Sequence, residues 1–167
     1  MMDRWKPSVT VAGIIEKDGK YLLVEEHTPN GLMFNNPAGH LDPNESPVQA
    51  CVREVLEETA YHFTPTALVG IYLSRFLKQA TSYTPAQDIT YLRFAFTGIL
   101  GAHEANRALD DGIVRTLWMS IEEMQATQEE ASKREGEIIS MIDAISQLLP
   151  VIEYDRNGKI TNINDNY

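Results

Sequence analysis

The chain contains one cysteine, few basic residues and no long apolar run. Each of these shortages excludes a class of protein. Cys51 is the single cysteine, so no internal disulfide can form and nothing indicates an oxidising compartment. No stretch approaches the ~20 apolar residues of a membrane helix, and the first residues lack the apolar segment of a signal peptide. We therefore expect a cytoplasmic protein with no membrane partner.

Positive charge is scarce, since 14 Lys and Arg residues oppose 24 Asp and Glu residues and give a formal net charge of −10. Proteins that coat nucleic acid normally need a basic patch, so we expect no nucleic-acid partner. An anionic small molecule is still a plausible substrate if a bound metal ion supplies the local positive charge.

Hydrophobic patterning predicts an α/β fold, a mixed sheet with helices on both faces. Residues 8–26 are interpreted as a hairpin around an Asp18-Gly19 turn, and Asn157-Gly158 predicts a second hairpin at the C-terminus. The length of 167 residues favours one domain over 1–167, with a core at 6–149 and the C-terminal hairpin at 151–163. Further strands are predicted at 32–34, 67–77, 89–100 and 113–119, with polar connections at 59–64, 78–88 and 101–112, a short helix from Ser120 and an amphipathic helix at 129–149.

The clearest helix begins after Ser46. Ser46 can cap it, Pro47 suits the first helical position, and Gln49 completes a capping box. The predicted buried stripe consists of Val48, Val52, Val55 and Thr59, and the charged side chains are predicted to lie on another face.

Three carboxylates share that second face, because Glu54, Glu57 and Glu58 are spaced i, i+3 and i+4. Like charges at this spacing repel by a few tenths of a kcal/mol per pair, so a helix gains nothing from them unless a positive group lies among them. Mg²⁺ takes carboxylate oxygens as ligands and leaves room for substrate phosphates. The helix therefore suggests a magnesium site.

The spacing upstream makes this hypothesis specific. Five residues separate Gly39 from Glu45, and seven more precede the segment Arg53-Glu54-Val55-Leu56-Glu57-Glu58. This pattern resembles the Nudix box of the Nudix hydrolases. Tyr61 matches the final apolar position loosely, and the one clear departure is Ala60, where the family has a glycine that eases a left-handed helix exit.

The resemblance extends over roughly residues 6–125 and is greatest to the NudJ-type phosphatases of that family. It is carried by Lys-Pro-x-Val-Thr-Val-Ala at the start, Val-Glu-Glu at 24–26, Pro-Ala-Gly-His-Leu at 37–41 and Leu-Arg-Phe at 92–94. These small enzymes hydrolyse nucleoside tri- and diphosphates and hydroxymethylpyrimidine diphosphate. The resemblance implies a Nudix-like αβα sandwich with a mixed central sheet.

The resemblance also implies roles for individual residues. Glu54, Glu57 and Glu58 match the ligands of Mg²⁺, which Mn²⁺ can replace, and a backbone carbonyl of Ala38 or Gly39 matches the loop ligand. Arg53 matches the arginine that orients these carboxylates, and Glu45 matches the glutamate that supports the site from the loop. Glu57 or Glu54 is the expected general base, and Asp110 and Asp111 are the alternatives from a later loop.

Five further side chains are candidates for the substrate pocket: Phe34, His40, Tyr83, Tyr91 and Arg93. Stacking on a base or pyrimidine ring would suit the aromatic residues, but sheet packing explains Phe34 and Tyr91 at least as well. His40 is more simply a hydrogen-bonded loop residue, and Cys51 a packing residue of the helix.

We therefore expect a Mg²⁺-dependent phosphohydrolase, monomeric or homodimeric, that directs water at phosphorus in a small nucleoside or pyrimidine diphosphate. One alternative is a pyrophosphatase for ADP-ribose or dinucleotide polyphosphates. Another is a ligand-sensing Nudix domain without turnover, which would commonly have lost one of the four box glutamates. All four are present in this chain.

Overall fold

The computed structural model describes residues 4–28, 31–78, 85–134, 152–154 and 160–163. Within these ranges no helix is long and apolar enough to cross a membrane. The helices are α1 (Pro47–Thr59) and α2 (Ile121–Arg134). The strands are β1 (Ser8–Gly13), β2 (Glu16–Lys17), β3 (Lys20–Thr28), β4 (Gly31–Asn35), β5 (Ala38–His40), β6 (Tyr61–Lys78), β7 (Gln87–His103), β8 (Ile113–Met119), β9 (Ile152–Tyr154) and β10 (Ile160–Ile163).

The strands form two sheets, and the larger one is mixed. Its order is β10-β9-β6-β7-β1-β5, in which β1 and β7 run parallel and the other neighbouring pairs run antiparallel. In the smaller sheet β3 lies between β4 and β8, and also pairs with β2. The predicted α/β class with a mixed sheet is confirmed, whereas the division into two sheets was not predicted.

The prediction of one hairpin over residues 8–26 is wrong. The turn at Asp18-Gly19 joins only β2 to the start of β3, with both turn residues at positive φ as a two-residue hairpin requires. Strand β1 instead lies in the larger sheet between β5 and β7. The apolar pattern of both strands was correctly recognised, but such a pattern does not specify the partner strand.

The long strand β6 replaces the predicted polar exit at 59–64. It begins at Tyr61, immediately after α1, and passes through Pro65, where the pairing with β7 shifts register. Proline is tolerated at such bulges because the ladder is already interrupted there. Gly98 of β7 faces this point, and a Cβ at Gly98 would collide with the backbone of Thr64. The sheet therefore crosses the proline without a break.

Helix α1 begins as predicted. The Ser46 side chain accepts a hydrogen bond from the Gln49 amide, and the Gln49 side chain accepts one from the Ser46 amide. The helix ends at Ala60, which keeps the left-handed conformation with φ 58°. Ala60 thus adopts the left-handed conformation that glycine adopts with less strain.

The predicted separation of α1 into a core face and a charged face is incorrect. Val55 and Thr59 are fully buried, but Val48 and Val52 are only half-buried. Two carboxylates, Glu54 and Glu58, are as deeply buried as core residues, each only 8% exposed. The strand and loop around β5 cover this face of the helix, which helical periodicity alone does not reveal.

Two apolar clusters fill the interior. The first lies under α1 and joins the helix to β1, β6 and β7; its fully buried members include Val11, Ala50, Cys51, Val55 and Phe96. The second lies between the two sheets and includes Ile14, Leu23, Val69, Ala95 and Met124. Cys51 therefore has the packing role expected for it, and burial raises the pKa of its thiol to about 12.

The C-terminal elements agree with the sequence only in part. Helix α2 follows Ser120 as predicted but continues to Arg134, so the short helix and the start of the predicted 129–149 helix are one element. The rest of that predicted helix lies outside the described residues. Strands β9 and β10 pair antiparallel as a hairpin, and β9 adds to the sheet beside β6 at Ala67 and Leu68.

Candidate active site

The site is built where α1 passes the edge strand β5, and Gly39 is the closest point. A Cβ atom added to Gly39 would occupy the position of the Glu54 carboxyl group. Glycine is therefore required here because the carboxylate of Glu54 fills the space that any side chain would need. This contact explains why glycine at this spacing from Glu54 belongs to the motif.

Arg53 is the hub of the charged groups. Its Nε and Nη2 atoms donate to the two oxygens of Glu45 at 3.2 and 2.7 Å, which is the bidentate arrangement of a strong ion pair. Its Nη1 atom donates to Glu54 Oε1 at 2.7 Å and to Glu57 Oε2 at 3.0 Å. Nη2 also donates to the carbonyl oxygen of His40 at 2.9 Å. These five bonds match the five N–H groups of a guanidinium.

Glu45 anchors this hub to the loop before α1. Its Oε1 atom accepts a hydrogen bond from the Asp42 amide at 2.7 Å as well as the bond from Arg53. Hydrogen bonding by Arg53 lowers the pKa of Glu45, so the carboxylate stays charged. The predicted supporting role of Glu45 thus has a concrete geometry, in which it holds the guanidinium that holds Glu54 and Glu57.

Glu58 reaches the outer edge of β5. Its Oε2 atom accepts a hydrogen bond from the Ala38 amide at 2.8 Å, which this edge strand directs away from β1. Burial raises the pKa of Glu58 to about 8, although the Ala38 bond opposes the shift. Burial also raises the pKa of Glu54, against the opposing effect of Arg53. Both groups are therefore costly to keep charged without a further positive partner.

The two alternative bases are placed differently. Asp110 lies at the end of α1, where its amide donates to the carbonyl oxygen of Glu57 at 3.1 Å and its charge raises the pKa of both Glu54 and Glu58. Asp111 is exposed in the turn that follows. The structure thus brings Asp110, rather than Asp111, into electrostatic range of the carboxylates.

The donor set fits a hard divalent cation in its chemistry. Three carboxylates and the backbone of β5 provide the oxygen ligands that Mg²⁺ prefers, and the space at Gly39 is shaped to a carboxyl group. Among the described residues, however, no three acidic, histidine or cysteine side chains already converge on a point that would hold a metal ion. Arg53 accounts for this, because its Nη1 atom lies between Glu54 and Glu57.

The predicted pocket residues are brought together only in part. Phe34 is half-buried and packs against the cluster between the sheets. The rings of His40 and Tyr91 lie 6.1 Å apart, and Tyr91 also meets Phe76 edge-on at 5.7 Å. His40 is exposed and Tyr91 half-buried. Tyr83 lies outside the described residues.

Arg93 differs from the other predicted pocket residues because it is a cation in a desolvated position. Burial lowers the pKa of its guanidinium, and the charges of Glu26 and Glu58 oppose that shift. Among the described residues, no carboxylate lies within ion-pair distance of it. It therefore lies within electrostatic range of Glu26 and Glu58.

Three residues of this region were not predicted individually as part of the site: Glu26, Thr10 and Asn36. Glu26 on β3 accepts a hydrogen bond from Asn35 Nδ2 at 3.1 Å and acts electrostatically on Glu58 and Arg93. The buried atoms Thr10 Oγ1 and Asn36 Oδ1 have no hydrogen-bond partner among the described residues. Glu26 could have been recognised as a charged residue that follows the buried part of a strand. Nothing in the sequence indicates that Thr10 Oγ1 and Asn36 Oδ1 would lack partners.

Comparison with known proteins gives consistent results. A family model described as NUDIX domain matches residues 4–140. The phosphatase NudJ of Escherichia coli strain K12 is 32% identical over 120 residues, which is 72% of this chain and 72% of that protein. A solved NUDIX hydrolase from Nitrosomonas europaea is 42% identical with a TM-score of 0.69, covering 90% of this chain and 99% of that one.

A more distant structure shares the fold alone. The MutT NUDIX hydrolase from Burkholderia pseudomallei is 16% identical with a TM-score of 0.61, and the match covers 87% of this chain and 100% of that one. The predicted sandwich fold and the predicted family resemblance are both confirmed.

Proposed function

Because the chain belongs to the Nudix family of hydrolases, we propose that it is a Mg²⁺-dependent phosphohydrolase that cleaves a phosphoric anhydride in a small nucleoside or pyrimidine di- or triphosphate. The observation that supports this most is the burial of Glu54 and Glu58 around the Gly39 contact. Buried carboxylates with raised pKa values are costly unless they serve a site, since a solvated helix face would leave them exposed.

In this proposal Glu54, Glu57, Glu58 and a backbone carbonyl of Ala38 or Gly39 hold the metal ion. The ion would supply positive charge to the phosphates and lower the pKa of bound water. Arg53 keeps Glu54 and Glu57 oriented, and Glu45 keeps Arg53 in place. Mn²⁺ has the same preference for oxygen ligands and would serve as a substitute.

Glu57 is the residue we assign as general base. Its side chain is 30% exposed, against 10% for Glu54, so water reaches it more easily. Arg53 holds its Oε2 atom, while Oε1 receives no hydrogen bond from any described residue and is available to accept a proton. Hydrogen bonding at one oxygen fixes the orientation of the other, which general-base catalysis requires.

The relatives and the charge of the chain support the proposed substrate class. NudJ is a phosphatase by its printed name, and it matches 72% of this chain. A protein of net charge −10 needs a local source of positive charge to bind an anion, and the metal ion together with Arg53 and Arg93 would supply it. A cytoplasmic location and a monomeric or homodimeric state stay predictions from the sequence.

The test is a panel of nucleoside di- and triphosphates, hydroxymethylpyrimidine diphosphate, ADP-ribose and a dinucleotide polyphosphate, each assayed with Mg²⁺ and with EDTA. We expect turnover of a di- or triphosphate with Mg²⁺, and loss of about a thousandfold or more in Glu57→Gln. Preference for ADP-ribose would overturn the substrate class. Binding of panel members without turnover would favour a sensing domain.

The identity of the base is tested by a matched pair, Asp110→Asn and Asp111→Asn. Asp110 is in electrostatic range of Glu54 and Glu58, so we expect a loss of activity of about threefold to tenfold in Asp110→Asn and almost none in Asp111→Asn. A loss in either variant as deep as that of Glu57→Gln would move the role of base to the loop.

A further inference from the structure

One face of the larger sheet carries a row of polar side chains that runs across four strands. Cα registers place His40 of β5 beside Thr10 of β1, Thr10 beside Arg93 of β7, and Arg93 beside Tyr72 of β6. Laterally paired residues in a sheet point to the same side. Val11 and Phe94, the neighbours of this row along the strands, face α1, so the polar row faces away from that helix.

Two members of this row have unused hydrogen-bonding capacity. Thr10 is 5% exposed, and its hydroxyl has no partner among the described residues. Arg93 is half-buried and makes no ion pair within the described ranges. Leaving a buried hydroxyl or a desolvated guanidinium without partners costs free energy, so each such group in a folded protein calls for an explanation.

The row is closed on one side. Two residues further along the strands lie Ala38, Ala12, Ala95 and Gly70, which again pair across β5, β1, β7 and β6. Ala12 and Ala95 are completely buried, and Tyr72 covers Gly70, where an added Cβ would lie 2.7 Å from the phenol oxygen. A ligand group bound by Arg93 and Thr10 therefore cannot carry a substituent that extends toward Ala12 and Ala95.

We propose that Arg93 and Thr10 form a phosphate subsite that binds the terminal phosphoryl group of the substrate, on the face of the larger sheet that is turned away from α1. The subsite rests on the proposed function and narrows its substrate class to compounds with a free terminal phosphate. The guanidinium takes two phosphate oxygens in its fork, and the Thr10 hydroxyl donates to a third.

Charge supports a phosphate rather than a neutral ring at this position. Glu26 and Glu58 both act on Arg93, so it lies close to the acidic cluster where the anhydride is cleaved. Arg53, the other cation of the site, already donates five hydrogen bonds to protein groups. Arg93 donates no such hydrogen bond to any described residue, so its N–H groups are left for a ligand.

The experiment is calorimetric titration of methylenediphosphonate in the presence of Mg²⁺, a probe that the enzyme does not hydrolyse. We expect Arg93→Met to raise the Kd about tenfold or more and Arg93→Lys to raise it less, because lysine keeps the charge but not the fork. Arg75→Met is the matched control. It also removes one positive charge from this sheet, but Arg75 is exposed and paired with Asp88, so the Kd should not change.

Thr10→Val separates binding from folding. Valine fills the same space without the orphan hydroxyl, so we expect the melting temperature to stay the same or rise while the Kd increases about threefold. A wild-type Kd in both Arg93→Met and Thr10→Val, or no binding of the probe to the wild type, would overturn the subsite. So would a lower melting temperature of Thr10→Val with an unchanged Kd, which would give Thr10 a structural role.

The binding measurement also separates this subsite from the proposed function. If no compound of the panel is hydrolysed, the proposed function fails while the Kd comparison still reports on Arg93 and Thr10. If a diphosphate is hydrolysed but Arg93→Met leaves its KM unchanged, the subsite alone fails. We expect Arg93→Met to raise KM about tenfold for a compound with a free terminal phosphate and to lower kcat less than KM rises.

Discussion

Arg53 and Arg93 both lie near carboxylates of α1, and they differ in what surrounds them. Arg53 donates five hydrogen bonds, to Glu45, Glu54, Glu57 and the His40 carbonyl. Arg93 is desolvated and has no ion pair among the described residues, although Glu26 and Glu58 act on it. The hydrogen bonds of Arg53 hold the site together, whereas the N–H groups of Arg93 have no ion-pair partner among the described residues.

The two arginines are also supported differently by the sequence around them. Arg53 is held by a helix whose capping box and loop glutamate position it before any ligand arrives. Arg93 is placed by the pairing of its strand, β7, with β1 and β6, and the buried Thr10 hydroxyl beside it has no partner among the described residues. Arg53 thus shapes the site, whereas Arg93 is available to bind a substrate, and four predictions test this difference.

The largest effect is expected for Arg53→Ala. Removing one partner from a buried charge pair costs about 3–5 kcal/mol, and since the Arg53 side chain is 28% exposed we expect about 2–4 kcal/mol of lost stability. Activity should fall about a hundredfold or more, because Glu54 and Glu57 lose their orientation. Arg93→Met, in contrast, should unfold in urea within about 1 kcal/mol of the wild type. Equal destabilisation by both substitutions would remove the distinction.

Gly39→Ala is expected to have the next largest effect. The new methyl group would occupy the position of the Glu54 carboxyl group and displace it from Arg53. Overpacking of this kind costs about 1–3 kcal/mol, and displacement of Glu54, a proposed metal ligand, should lower activity about a hundredfold. Gly19→Ala is a useful control, since its Cβ would meet no atom within 4 Å and only its positive φ would be strained. Full activity of Gly39→Ala would show that the contact is not needed.

The third prediction concerns pH. The folded-state pKa of Glu58 is about 8 against an ordinary value of 4.5, so the folded protein binds more protons than the unfolded chain between these values. In EDTA, stability should therefore fall as pH rises from about 4.5 to about 8, by at most about 1.4 kcal/mol per pH unit from this group.

Urea unfolding at several pH values measures this dependence. Glu58→Gln removes the titrating group, so its stability relative to the wild type should increase steadily as the pH rises. Glu54 contributes in the same direction, because burial raises its pKa too, so a reduced slope should persist in the variant. If the stability of the wild type and of Glu58→Gln changed with pH in parallel, Glu58 would not have a pKa raised by burial.

The smallest effect is expected for Ala60→Gly, at the end of the helix that carries Arg53. Relief of the left-handed conformation is worth about 1 kcal/mol, but the lost buried methyl costs about 0.8 kcal/mol, so the two nearly cancel. Ala50→Gly, inside the same helix and equally buried, should cost about 2 kcal/mol because both terms then oppose folding. A gain well above 1 kcal/mol in Ala60→Gly would mean that alanine strains the exit more than geometry indicates.

The sequence predicted the local features of this site well. The start of α1, the shared face of Glu54, Glu57 and Glu58, and the bounds of β8 at 113–119 all follow from short-range spacing, and the structure confirms them. Short-range rules suffice here because capping and helical periodicity depend on neighbours within four residues.

The long-range features could not be predicted from the sequence, for a physical reason. Strand patterning shows that β1 and β3 are buried but does not specify that β1 pairs with β7, more than seventy residues away. The burial of Glu54 and Glu58 depends on β5 folding over α1, and the orphan hydroxyl of Thr10 depends on which groups surround it. Arg93 was predicted as a pocket residue, but the absence of an ion-pair partner among the described residues depends on the tertiary structure.

The most direct test of the central claim, that the carboxylate face of α1 binds a divalent cation, is calorimetric titration of Mg²⁺ into three proteins. These are the wild type, Glu57→Gln/Glu58→Gln, and the control Glu122→Gln/Glu123→Gln, which removes two exposed carboxylates from α2. We expect one-site binding to the wild type and the control, with affinity lowered about a hundredfold or more in Glu57→Gln/Glu58→Gln. Equal Mg²⁺ affinity in all three proteins would contradict it.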